Sequence, residues 1–214
     1  MDKNAANGSE RRERIVRAAI EVFLRFGFRK TSMDDVAKAA AISRQGLYLH
    51  FETKDILFRA VVDQMLADLR AATWGALDQD ARTEDRLAEA FEAFHGVTVG
   101  TVVNREVYHK LLSSAQSFAL DRMARMEEEL ITAVAALLTS TGHAAAWKEA
   151  ELSATELAQN LFDASAGAKY ESGSLDDYRR RVRVAARIIT GLLVEEDRRQ
   201  YGEGDQHSGD GDSG

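Results

Sequence analysis

Arg44, Gln45 and Tyr48 stand in a short stretch whose apolar residues face the other way. Leu47 and Phe51 are four apart and share one face of a helix, while Arg44, Gln45, Tyr48 and Leu49 fall on the opposite side. A guanidinium presents a two-pronged donor that fits the acceptors of guanine, and a carboxamide matches the donor and acceptor of adenine. A helix that reads base edges in a major groove needs such a polar and aromatic outer face, backed by an apolar one.

That helix must be positioned by others, and the punctuation of the chain supplies them. Ile15, Ala19, Val22, Phe23 and Phe26 recur at helical spacing and stop at Gly27, a C-terminal cap. Ser32 caps a second short helix over 33–40, with Asp35 in the acidic slot of a capping box. After a turn at Ala41-Ile42, Ser43 caps a third helix over 44–50, and Thr53 caps a long fourth that reaches toward Trp74 or Leu77. Two short helices joined by a tight turn form a helix-turn-helix, in which Leu47 and Phe51 pack on Val36, Ala40 and the first helix.

The stretch from Thr31 to Asp55, TSMDDVAKAAAISRQGLYLHFETKD, is similar to the DNA-binding signature of the TetR/AcrR regulators. The preceding helix and the Phe26-Gly27-Phe28 break fit as well, so the resemblance spans about Arg11 to Leu57. Ala41 departs from it, standing where the family usually has glycine; keeping the same backbone costs alanine on the order of 1 kcal/mol. Leu49 takes a place that is usually polar. The resemblance implies that Thr31 or Ser32, Tyr48, His50 and Lys54 touch phosphates, that Arg44 and Gln45 reach bases, and that Gly46 belongs to the same surface. Ser32 and Ser43 have the plainer reading of caps, His50 that of a packing residue, and Arg44 and Gln45 that of solvated surface.

Helical periodicity continues to the end, with further helices near 83–101, 104–114, 119–141, 150–171 and 175–198, and there is no proline. The expected fold is all-α with about nine helices: a flexible start over 1–10, a helix-turn-helix domain over 11–55, a helical body over 56–200 and a Gly/Asp/Ser-rich tail over 201–214. For the body, the resemblance implies a ligand cavity. Trp74, Phe91, Phe94, His95, Tyr108, Leu111, Leu112, Phe118, Met123 and Met126 are the candidate lining, with Gln116 and His109 as further polar contacts; core packing is the competing reading for each. It also implies a homodimer through the last two helices. Leu157, Leu161 and Phe162 form one apolar stripe and Val184, Ile188 and Leu192 another, although either could face the subunit's own core. The implied partners are a palindromic double-stranded DNA operator, a small and largely apolar effector, and a second copy of the chain. Ligand would act by shifting the fourth helix and so the separation of the two reading helices.

Charge agrees with this division. Residues 1–56 carry a net +3 and the remainder −10 within an overall −7, so only one end suits a polyanion. The absence of cysteine excludes disulfides, a thiolate nucleophile and cysteine-held metals. The histidines at 50, 95, 109, 143 and 207 lack metal-ligand spacing, and no nucleophile elbow, phosphate loop or dinucleotide fingerprint is present. No enzyme, metal or cofactor is therefore expected. A polar start without an apolar leader and the lack of a long apolar run point to the cytoplasm and away from a membrane. The rival reading is a helical ligand-binding or protein-interaction dimer that has lost tight DNA binding.

Overall fold

The computed structural model describes residues 3–95 and 117–191. The described residues form eight α-helices and one 3-10 helix. These are α1 (Lys3–Lys30), α2 (Met33–Ala39), α3 (Arg44–Tyr48), α4 (Lys54–Leu77), α5 (Thr83–His95), α6 (Ser117–Ser140), the 3-10 helix (His143–Ala150), α7 (Ala154–Glu171) and α8 (Leu175–Thr190). The all-α expectation holds, and the bounds fall close to the periodicity, with two additions. The first helix begins at Lys3, inside the stretch expected to be flexible, and the 3-10 helix was not anticipated. That segment enters and leaves through left-handed Gly142 and Glu151, and Trp147 Nε1 donates to the Ile189 carbonyl at 2.9 Å to fix it on α8. The expected helix over 104–114, Leu192 and the tail lie outside the described residues.

The head is α1 to α3 folded over the first turns of α4. Helix α1 breaks at Gly27, whose φ of 78° and ψ of 160° suit glycine. Its inner face, with Ile15, Val16, Ala19 and Phe23, meets Val36, Leu47, Phe51, Leu57 and Phe58 in one buried core. Phe58 of α4 stands edge-on to Phe23 at 5.3 Å and against Phe28 at 4.5 Å, tying the break after α1 to α4. The same core continues along α4 through Val61, Val62, Leu66 and Leu69 into the body. There α5 packs on α4 and α8, and α7 packs on α6 and α8. At the far end of α4, Arg86 of α5 donates through Nε to the Leu77 carbonyl at 2.7 Å, satisfying a helix-end acceptor. Among the described residues no single helix is long and apolar enough to cross a membrane.

Candidate nucleic-acid interface

Side-chain caps fix the two short helices of the head. At α2 the Ser32 amide donates to Asp35 Oδ2 at 2.9 Å, while the Asp35 amide donates to Ser32 Oγ at 3.2 Å, completing a capping box. The Ser32 hydroxyl and amide hold the Asp35 carboxyl below its ordinary pKa. At α3 the Gly46 amide donates to Ser43 Oγ at 3.0 Å. A Cβ on Gly46 would stand 3.1 Å from that oxygen, so glycine gives the cap room; Arg11 reaches the same spot from α1. Between them Ala41 adopts a left-handed φ of 53°, so the turn keeps the backbone that glycine would favour rather than adjusting.

This frame leaves the outer side of α3 open. Leu47 and Phe51 are buried, as their spacing demands, whereas Arg44, Gln45, Tyr48 and Leu49 are exposed, Leu49 by 82%. Arg44 pairs with Asp34 of α2 at 3.1 Å and lies 5.6 Å above the Tyr48 ring, so the outer face of α3 is braced against its neighbour helix. His50 is half-buried beside it. Of the alternatives Thr31 and Ser32, only Ser32 is exposed. Thr31 is buried and donates its hydroxyl to the Gly27 carbonyl at 2.9 Å.

Lys54 also departs from expectation. Its ammonium donates to the Phe28 and Thr31 carbonyls at 3.0 and 3.1 Å and sits 4.4 Å from the centre of the Phe28 ring. The break at Gly27 leaves carbonyls without helical partners, and Lys54 answers them from the first turn of α4. Its place is therefore that of a staple between α1 and α4. Two arginines outside the expected contacts stand beside this surface: Arg11, against the start of α3, and Arg12, whose guanidinium lies 4.8 Å from the centre of the Phe51 ring. Their position three to four residues before the first buried pair, Ile15 and Val16, was the available signal.

In the body several candidate ligand contacts are buried. Phe91, Phe94 and Met126 are buried among helices, and His95 is buried at the junction of α5, α7 and α8. His95 Nδ1 lies 3.3 Å from the Tyr178 hydroxyl and 3.2 Å from Ser165 Oγ. Both hydroxyls also donate to carbonyls, Tyr178 to Phe91 at 3.0 Å and Ser165 to Phe162 at 2.7 Å. Burial, aided by Lys169, pushes the His95 pKa down to about 3. Trp74 and Met123 are half-buried, and Trp74 lies beneath Arg70, its ring centre 4.2 Å from the guanidinium, at a groove between α4 and α6. Tyr108, His109, Leu111, Leu112 and Gln116 fall outside the described residues, as does the Phe118 side chain.

The two apolar stripes of the last helices also part company. Leu157, Leu161 and Phe162 are buried in the subunit's own core, because α7 is wedged between α6 and α8. Val184 and Ile188 are 55% and 62% exposed on α8. The outward side of α7 carries Ala164, Gly167 and Tyr170 instead.

The described residues thus form a capped helix-turn-helix packed on a long helix that leads into a helical body, the arrangement of a DNA-binding helix-turn-helix carried on a second helical part. Residues 15–61 match the family described as bacterial regulatory proteins, tetR family. The chain is 36% identical over 85 residues to the HTH-type transcriptional activator FasR of Mycolicibacterium smegmatis, covering 40% of this chain and 39% of FasR. It is 34% identical over 98 residues to the HTH-type transcriptional regulator UidR of Escherichia coli K12, covering 44% of this chain and 50% of UidR. The matched region thus spans half or less of these relatives. A TetR-like regulator from Rhodococcus sp. RHA1 is similar in structure over 90% of this chain and 97% of its own, with a TM-score of 0.51 at 27% identity. The chain is thus similar to the TetR/AcrR regulators in its head, over residues 15–61, and to a TetR-like regulator in its fold.

Proposed function

We propose that this protein is a sequence-specific DNA-binding regulator that holds a palindromic operator as a homodimer and leaves it when a small, largely apolar ligand binds the body. The observation that carries the reading is the outer face of α3, where Arg44, Gln45 and Tyr48 are exposed on a helix whose cap, turn and inner face are all fixed. Arg44 and Gln45 are the base-reading residues in this proposal. Tyr48, Ser32 and His50 contact phosphates, with Arg11 adding charge at the start of α3. One short helix reads few base pairs, which favours paired heads about 34 Å apart, one turn of DNA. The exposed Val184 and Ile188 of α8, together with Ala164, Gly167 and Tyr170 of α7, are the surface for that pairing. The small residues permit close helix approach.

Selection of bound sites from randomised DNA at physiological salt tests the core of the proposal. One recovered palindrome, bound with an affinity that falls steeply with salt, supports it. Recovery of nothing, with and without candidate ligands, favours the helical dimer without DNA binding. A reporter behind the recovered site gives the sign of control. Derepression on loss of the regulator supports repression; loss of expression makes the protein an activator, as the name of FasR describes that relative. For the dimer, Val184→Glu with Ile188→Glu is expected to give folded monomers in sedimentation, and an unchanged mass rejects that face.

A further inference from the structure

Leu49 is the most solvent-exposed of the large apolar side chains in the described structure, at 82%, and it sits at the C-cap of the reading helix. The other exposed side chains of that face are an arginine, a glutamine and a tyrosine, each with a polar group to offer; leucine offers none. At about 100° per residue, positions 44, 45, 48 and 49 fall within an arc of roughly 140°, so Leu49 shares the surface of Arg44 and Gln45. Its exposure has no packing reason, because Leu47 and Phe51 already fill the inner side. The apolar group that base pairs present to the major groove is the C5-methyl of thymine.

We infer that Leu49 is a specificity-determining residue that selects thymine by its C5-methyl in each half of the operator. This rests on the DNA-binding reading above and names one base of the site. The methyl is the sole difference between thymine and uracil, so the DNA can be changed while the protein stays whole. Removing a buried methyl of this size predicts a loss of roughly four-fold per half-site, or about fifteen-fold when both halves are changed.

The test uses the full chain on the site recovered by selection, with each thymine in turn replaced by deoxyuridine, for the native protein and Leu49→Ala. The expected result is one thymine per half-site at which uracil weakens the native protein roughly four-fold while Leu49→Ala binds both DNAs equally. A native protein indifferent to uracil at every position overturns the inference. So does a Leu49→Ala variant that retains the thymine preference, or one that is weakened on native DNA while the uracil effect persists, which would assign Leu49 to the sugar-phosphate backbone. These outcomes leave DNA binding itself intact. Failure of the native protein to select any site removes both readings, so the two failures are distinguishable.

Discussion

The head and the body are held together over different distances along the chain. In the head the decisive hydrogen bonds join residues three apart, as in the caps of Ser32, Ser43 and Thr53, and the Arg44–Asp34 pair spans ten. In the body they join residues far apart: His95 meets Ser165 and Tyr178 across 70 and 83 positions, Arg179 meets Glu92 across 87, and Arg187 meets Glu84 across 103. Short-range bonds fix where helices start and stop, whatever surrounds them. Long-range ones depend on the whole packing, so the same residue types carry different jobs in the two parts. Lys54 is the informative exception, a head residue that closes a 26-residue span and thereby becomes a staple.

The largest effect that sharpens this contrast is expected from Phe91→Ala. A fully buried body residue truncated in this way costs about 3–5 kcal/mol in denaturant unfolding, whereas a cost below about 1 kcal/mol would return Phe91 to a cavity wall. Next is Lys54→Met, which strips donors from the Phe28 and Thr31 carbonyls and lowers stability by about 1.5–3 kcal/mol. If DNA affinity drops while thermal stability does not change, the staple assignment is wrong and the phosphate contact returns.

His95 gives a smaller, pH-dependent effect. Its folded pKa is depressed to about 3 from 6.5, so the unfolded chain binds the extra proton between those values. The stability that neutral His95 contributes is fully present above pH 6.5 and drains away as pH falls toward 3. Between pH 6.5 and 5 the loss is about 2 kcal/mol. Chemical unfolding of His95→Gln across that window should show this slope removed, and a slope equal to that of the native protein would detach it from His95. The smallest change is Ala41→Gly, expected to raise stability by about 0.5–1 kcal/mol by relieving a left-handed alanine, less the entropy glycine adds to the unfolded chain. A loss of stability would show that the turn is unstrained.

What was legible follows the same division. Serine caps, the Gly27 break, the capping box at Asp35 and the buried Leu47–Phe51 pair could be read because each is written within a few residues. So could the helical body, since 3.6-residue periodicity is also local. Periodicity does not say what a face meets. Leu161 and Ile188 both belong to apolar stripes, yet one is buried within the subunit and the other exposed, a difference set by α6 and α8 lying on either side of α7. His95 and Phe94 looked like a polar anchor and an aromatic wall for the same reason, and only the return of α7 and α8 encloses them. Thr31 was ambiguous with Ser32 until the carbonyl of Gly27 took its hydroxyl.

The passage of one core from α1 through α4 into the body bears on how the molecule comes apart. Leu57, Phe58 and Val61 belong to α4, yet they close the floor beneath Phe23 and Phe51. A fragment ending at residue 55 would lack that floor, and the smallest autonomous head must extend through the first turns of α4. Because α4 then runs unbroken to Leu77, melting of the head exposes apolar surface on a helix that the body also uses. Head and body should therefore unfold as a single cooperative transition, with coincident signals from probes placed in each.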